Sequence, residues 1–169
     1  MLYGLNSSEF QFFWRKSTAP GFCVAESKYR VLVGQVLTDF REIVDFGAEV
    51  GAIFCSANPE HGFVIFEISS ELAMRGHFLH LFATSAVEGY QAAKSQDAFD
   101  VDTCPLILNG LGQEANNYKQ KAFVESLIYE RFFRRVPTIV FSTMLPEDIA
   151  RYYGRMTHGI LNEKYMVVS

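Results

Sequence analysis

Along most of this chain, short apolar runs alternate with stretches whose apolar residues recur at helical spacing. Val50-Gly-Ala-Ile-Phe-Cys55 is the first such run, bounded by the turn-like segment Ser56-Ala-Asn-Pro-Glu-His-Gly62. From Phe63 to Arg75 the spacing predicts a helix: Val64, Ile65, Ile68 and Leu72 share one face, Glu67 and Glu71 lie off it, and Gly76 ends it. His77–Ala83 reads as a second strand, with a helix over Ala86–Lys94 after it. Cys104–Leu108 is a third apolar run, closed by Asn109-Gly110, a dipeptide that favours turns. Lys119–Arg135 carries the clearest helical stripe, formed by Phe123, Leu127, Ile128 and Phe132. Pro137–Ser142 is the fourth strand, Pro146-Glu-Asp opens a helix with proline in its first turn, and Lys164–Val168 is the fifth strand. Residues 1–49 read as a mostly helical lead-in, concentrated between Tyr29 and Phe46, to a sheet core over 50–169.

Apolar strands that alternate with helices pair in parallel and are covered on both faces. The pattern therefore predicts a single α/β domain over 1–169, a three-layer sandwich around a central, mostly parallel five-stranded sheet. A composition of 49% hydrophobic and 20% charged residues excludes a disordered chain and suits such a sheet. Sixteen Phe and eight Tyr fill the core first and leave some for an interface. The net charge of −4 gives no global basic footprint for nucleic acid. Cys23, Cys55 and Cys104 are widely spaced and odd in number, which forms neither a metal motif nor a disulfide framework. The first residues lack a basic segment followed by an apolar one, and no apolar run approaches the roughly 18 residues of a membrane span. These features together lead to the expectation of a cytoplasmic protein without a membrane partner.

In an open parallel sheet, ligands bind beyond the carboxyl ends of the strands. The loop Ser56–Gly62 sits there, between an apolar strand and a helix, which is the place of a phosphate-binding loop. A working loop needs glycines for close backbone approach, a lysine for the phosphates and a hydroxyl for Mg²⁺. This one offers Asn58, Pro59, Glu60 and His61, and no lysine occurs between Lys28 and Lys94. Glu60 adds negative charge where phosphate would lie, and Pro59 removes a backbone donor. A second strand end should supply an acid for the metal, yet Leu106-Ile-Leu108 runs into Asn109-Gly110.

Leu106-Ile-Leu-Asn-Gly-Leu-Gly-Gln-Glu114 resembles the Walker B segment of bacterial replicative helicase loaders, the DnaC/DnaI type of AAA+ ATPase, which reads L-I-L-D-D-L-G-x-E. Glu130-Arg-Phe-Phe-Arg-Arg-Val-Pro-Thr-Ile-Val-Phe-Ser-Thr143 resembles the same family's E-R-Y-x-x-R-x-P-T-I-x-T-S-N, whose last residue is a sensor asparagine. Pro146-Glu-Asp and Tyr153-Gly-Arg155 follow at the family spacing. Phe40-Arg-Glu-Ile-Val-Asp-Phe46 and Glu71-Leu-Ala-Met-Arg-Gly76 resemble the helix entering the core and the end of the helix after the P-loop. The resemblance covers residues 29–168 and implies a P-loop NTPase-like fold with an AAA+ core. Its departures fall on the chemistry. His61 or Gly62 stands at the P-loop lysine, Asn109 and Gly110 at the two Walker B acids, and Thr143 at the sensor asparagine. Arg155 matches the first arginine of the family's G-x-R-x-x-S-R box, while Gly159 occupies the second, finger-like position. Asn58, His61, Gly62, Asn109, Gly110 and Thr143 are then vestigial positions, and neither a catalytic residue nor a nucleotide cofactor is expected.

Other constellations weigh less. His77 and His80, three apart on a strand, point to opposite faces and do not converge on a metal. Cys55 and His61 suggest a nucleophile and base, hence a cysteine hydrolase, but no third group orients them; a buried strand cysteine is the simpler reading. Arg131, Arg134 and Arg135 lie among Phe132 and Phe133, an arrangement that suits single-stranded nucleic acid, although helical spacing puts Phe132 on the core stripe and the arginines on a solvated face. Arg155 is either an ordinary surface residue or a contact to a neighbouring AAA+ subunit. The sequence thus reads as a non-catalytic AAA+-like protein acting in DNA replication through another AAA+ protein, a replicative helicase or a copy of itself, with DNA contact through the arginines as the alternative.

Overall fold

The computed structural model describes residues 51–55, 65, 68–69, 72–73, 76–114 and 116–168. The expected helix over Tyr29–Phe46 and the loop positions Asn58, His61 and Gly62 lie outside these residues. Among the described residues, five strands form one sheet: β1 (Ala52–Cys55), β2 (Leu79–Phe82), β3 (Leu106–Leu111), β4 (Thr138–Ser142) and β5 (Met166–Val168). Their order is β2-β3-β4-β1-β5, and every pairing is parallel. The central strands are the most apolar, with Leu106, Ile107, Leu108, Ile139, Val140 and Phe141 all at most 2% exposed. A strand covered on both faces buries consecutive residues, so the runs show no alternation.

A short 3₁₀ turn, Ala83–Ser85, passes from β2 directly into α1 (Ala86–Gln96). Three further helices follow: α2 (Tyr118–Phe133), α3 (Pro146–Tyr153) and α4 (Arg155–Gly159). A π turn over Ile160–Lys164 delivers the chain to β5. Residues 65, 68, 69, 72 and 73 are helical, with Ile68 and Leu72 buried, as the spacing after Phe63 predicts. Pro146 starts α3, with Glu147 and Asp148 in its first turn, where carboxylates complement the positive helix end.

Two helix ends show how side chains replace missing backbone partners. Ser85 precedes α1 without capping it; Gln120 of α2 does so instead, its Oε1 accepting from Val87 N–H at 2.9 Å. At the end of α2, Val136 N–H donates to Arg131 O at 2.9 Å and Arg135 N–H to Phe132 O at 3.0 Å, the paired bonds of a Schellman motif. That motif places Arg135 at φ +55, where a non-glycine residue is strained.

The structure departs from the sequence pattern in three places. Asn109-Gly110 does not end β3. The strand continues to Leu111, and Gly110, at φ +76, is absorbed as a bulge between Asn109 opposite Phe141 and Leu111 opposite Ser142. His77 is exposed and precedes β2, so the opposite-face argument does not apply to it: its ring stacks on Phe99, whereas buried His80 stacks on Phe82. Arg131 is not on a solvated face. It is 2% exposed, on the buried side of α2 with Gln120, Val124, Leu127 and Ile128, while Phe123 and Phe132 sit at the margin of the core.

Candidate functional site

Because all five strands run the same way, their carboxyl ends share one edge. The step from β1 to β2 crosses the sheet in one direction, and the steps β2 to β3, β3 to β4 and β4 to β5 cross it in the other. With right-handed crossovers, the connection leaving β1 covers one face and those leaving β2, β3 and β4 cover the other. β1 and β4 are neighbours, so their exits flank the switch point at which doubly wound sheets take ligands in a crevice. Cys55 closes β1 at this switch point, Ser142 and Thr143 leave β4, and Asn109 and Gly110 lie at the adjoining exit of β3.

The described residues at these exits tie to one another. Ser142 Oγ donates to Leu111 O at 3.1 Å and accepts from Met144 N–H at 3.0 Å, which fastens the end of β3 to the loop after β4. Gly112, at φ +96, points its N–H between two acceptors, Glu114 Oε2 at 3.0 Å and the Tyr153 hydroxyl at 2.8 Å. That hydroxyl donates to the second oxygen of Glu114, which is 2% exposed. Burial pushes the Glu114 carboxyl above its ordinary value, against the opposing pull of these backbone bonds. Lys121 of α2 lies 4.3 Å above the Tyr152 ring and 5.8 Å from that of Tyr153, closing the cluster from outside.

Among the positions singled out in the sequence, Asn109 is half-buried, Gly110 buried, and Thr143 and Arg155 exposed. A side chain at Gly110 would be strained by φ +76, and its Cβ would come within 2.8 Å of Gln113 Oε1. The backbone at Gly110, which the resemblance sets against the second Walker B acid, thus has a shape that favours glycine. Cys55 is buried, and burial, with Glu147 adding to it, pushes its thiol up to about 11. A nucleophilic cysteine needs the opposite environment, one that favours thiolate. Glu147 also puts a negative charge within electrostatic reach of the β1 exit.

The arginine cluster separates. Arg131 donates from Nε to Thr138 Oγ1 at 2.9 Å, from Nη1 to Val101 O at 3.3 Å, and from Nη2 to Pro137 O at 3.1 Å and to Cys104 O. Its fork fastens the end of α2 to the loop before β3 and to the start of β4, so it cannot reach DNA or a partner. Arg134 and Arg135 are exposed, and they sit at the opposite edge of the sheet from the strand exits, since α2 runs from β3's exit back to β4's entry. Pattern reading missed Gln120 and Tyr153 as organisers. Their signal is faint: polar atoms on otherwise apolar helix faces, which need a partner when buried.

No protein-family profile matches the chain, and no curated protein matches it in sequence. Its backbone is similar to solved structures of replication proteins. A crystal structure of the DnaC helicase loader superposes with a TM-score of 0.58 at 15% identity, covering 79% of this chain and 87% of that one. A structure of DnaI gives 0.53 at 16% identity, over 72% and 71%. A DNA replication initiation factor gives 0.57 at 14% identity, over 85% of this chain and 45% of its own length. The fold is therefore that of the AAA+ P-loop proteins, and its structural neighbours are those the sequence segments resemble.

Proposed function

We propose that this protein is a non-catalytic AAA+-like factor of DNA replication that works by occupying a partner's surface. The observation that carries the reading is the exit of β3. Asn109 and Gly110 stand where the resemblance places metal-holding acids, and Gly110 forms a left-handed bulge at which an acidic side chain would be strained. The Ser142, Glu114 and Tyr153 bonds fasten this exit, and Glu147 brings an anion near the crevice where phosphate would sit. Thr143 at the sensor position and His61 or Gly62 at the lysine position add to the case from the sequence. Partners in keeping with the fold are a replicative helicase, another AAA+ protein or a second copy. Purified protein is expected to show neither Mg-ATP binding by calorimetry nor hydrolysis above background; turnover that disappears in His61→Ala would sink the proposal.

Direct DNA binding through the arginines has less support. Arg131 is internal, and the charge of Arg134 is partly offset by Asp102.

A further inference from the structure

At the edge opposite the strand exits, two surface features lie side by side. The last turn of α2 exposes Tyr129 and Phe133, whose ring centroids are 4.5 Å apart, and Phe133, 62% exposed, is followed by exposed Arg134 and Arg135. Next to it, the end of α1 and the following loop form an open cleft lined by Lys94, Asp97, Ala98, Phe99 and Asp100. Asp97 and Asp100 are exposed and Phe99 is half-buried. Lys94 sits 3.2 Å from Asp102, so its charge is largely balanced and the cleft is acidic on the whole.

The two features are held in fixed relation. Arg131 crosses from α2 to the carbonyls of Val101 and Cys104 in the loop that leaves the cleft. Tyr90 donates to Asp102 and, with Lys94 and the charge of Arg134, holds that carboxyl below its ordinary value, which places Arg134 beside the same loop.

Each feature complements the other. One presents an aromatic ring followed by two arginines; the other is a hollow with an aromatic residue between two aspartates. Because both lie on one edge of the molecule, a two-fold axis between them sets each basic corner into the cleft of the other copy, making the same contact twice. Phe, Tyr and Arg are also the residue types that enrich the centres of protein interfaces. We propose that the chain self-associates as a two-fold dimer in which Phe133, Arg134 and Arg135 of one copy dock against Asp97, Phe99 and Asp100 of the second. Nucleic acid suits this corner less well, since its phosphates would meet Asp97 and Asp100 beside the arginines. The dimer does not depend on the state of the strand exits, which face the opposite way.

The test is a charge exchange followed by sedimentation at about 100 μM protein, enough to fill an interface of micromolar affinity. Wild type is expected to sediment as a dimer that weakens as salt rises. The Arg134→Glu/Arg135→Glu chain and the Asp97→Lys/Asp100→Lys chain should each be monomeric, and mixing them should restore a heterodimer, because both contacts then regain opposite charges. Asp100 accepts bonds from Asp102 N–H and the Thr103 hydroxyl, so Asp97→Asn/Asp100→Asn serves as a gentler neutralisation that keeps a side-chain oxygen; it should weaken the dimer at least tenfold. A monomeric wild type, or a dimer that survives both charge reversals, overturns the inference. So does a failure of the two folded exchange chains to pair on mixing. Mg-ATP binding or turnover measured on the same samples would count against the reading of the strand exits and leave the dimer unaffected.

Discussion

The hydroxyl of Tyr153 in α3 donates to the buried carboxylate of Glu114 and at the same time accepts the N–H of Gly112, so one side chain fixes the loop that leaves β3. Tyr153→Phe removes both bonds and leaves a buried carboxylate short of a donor. The loss should be about 2 kcal/mol of unfolding free energy, read from urea denaturation. Since burial raises Glu114, its ionisation opposes folding: the cost is absent below the ordinary value of 4.5 and grows as pH rises through the folded-state value. Glu114→Gln keeps an acceptor without the charge, so its stability relative to wild type should improve between pH 4 and pH 8. A difference independent of pH would contradict this.

His80 gives the opposite dependence. Burial in β2 lowers it to about 4 from 6.5, and its Nε2 has no hydrogen-bond partner. The neutral ring is therefore favoured in the fold, and stability is full above pH 6.5 and falls as pH drops towards 4. The total loss is about 3 kcal/mol, from roughly 1.4 kcal/mol per pH unit. His80→Leu should flatten that part of the acid unfolding profile. An unchanged profile would show that His80 does not set it.

Arg131 serves as an internal strut rather than a contact residue. Arg131→Ala should cost about 3 kcal/mol, because the carbonyls of Val101 and Cys104 lose the guanidinium donor and that of Pro137 keeps only the Leu106 N–H. Arg131→Lys should recover little, since a single ammonium cannot reproduce a fork that reaches several acceptors. Full stability in the lysine variant, by thermal melting, would argue that the fork is dispensable.

The class of fold was legible because it depends on coarse periodicity. Five apolar runs separated by helical stripes imply a covered parallel sheet, and all five strands appear where the runs lie, within a few residues at their ends. What escaped was local and three-dimensional. Asn109-Gly110 favours a turn in isolation, but pairing with β2 and β4 carries the strand onward and turns glycine's freedom into a bulge. Arg131 reads as solvated by its charge, and only the carbonyls brought to it by the loop before β3 make its burial tolerable. The loop Ser56–Gly62 lies outside the described residues, and the role of Tyr153 depends on a contact from distant sequence that no spacing reveals.

Restoring acids should not restore chemistry. Asn109→Asp/Gly110→Asp recreates the segment that the helicase loaders carry, but an aspartate at φ +76 should cost on the order of 1–2 kcal/mol in backbone strain. The double variant should be less stable than wild type by thermal melting and show no Mg²⁺-dependent nucleotide hydrolysis. A stable variant that hydrolyses ATP would mean that the bulge poses no barrier.

The account rests most directly on Mg-ATP itself. Isothermal titration of the purified chain with Mg-ATP, with phosphate release followed in parallel, should give no binding heat and no turnover above buffer. Saturable binding with micromolar affinity, or hydrolysis abolished by His61→Ala, would contradict it.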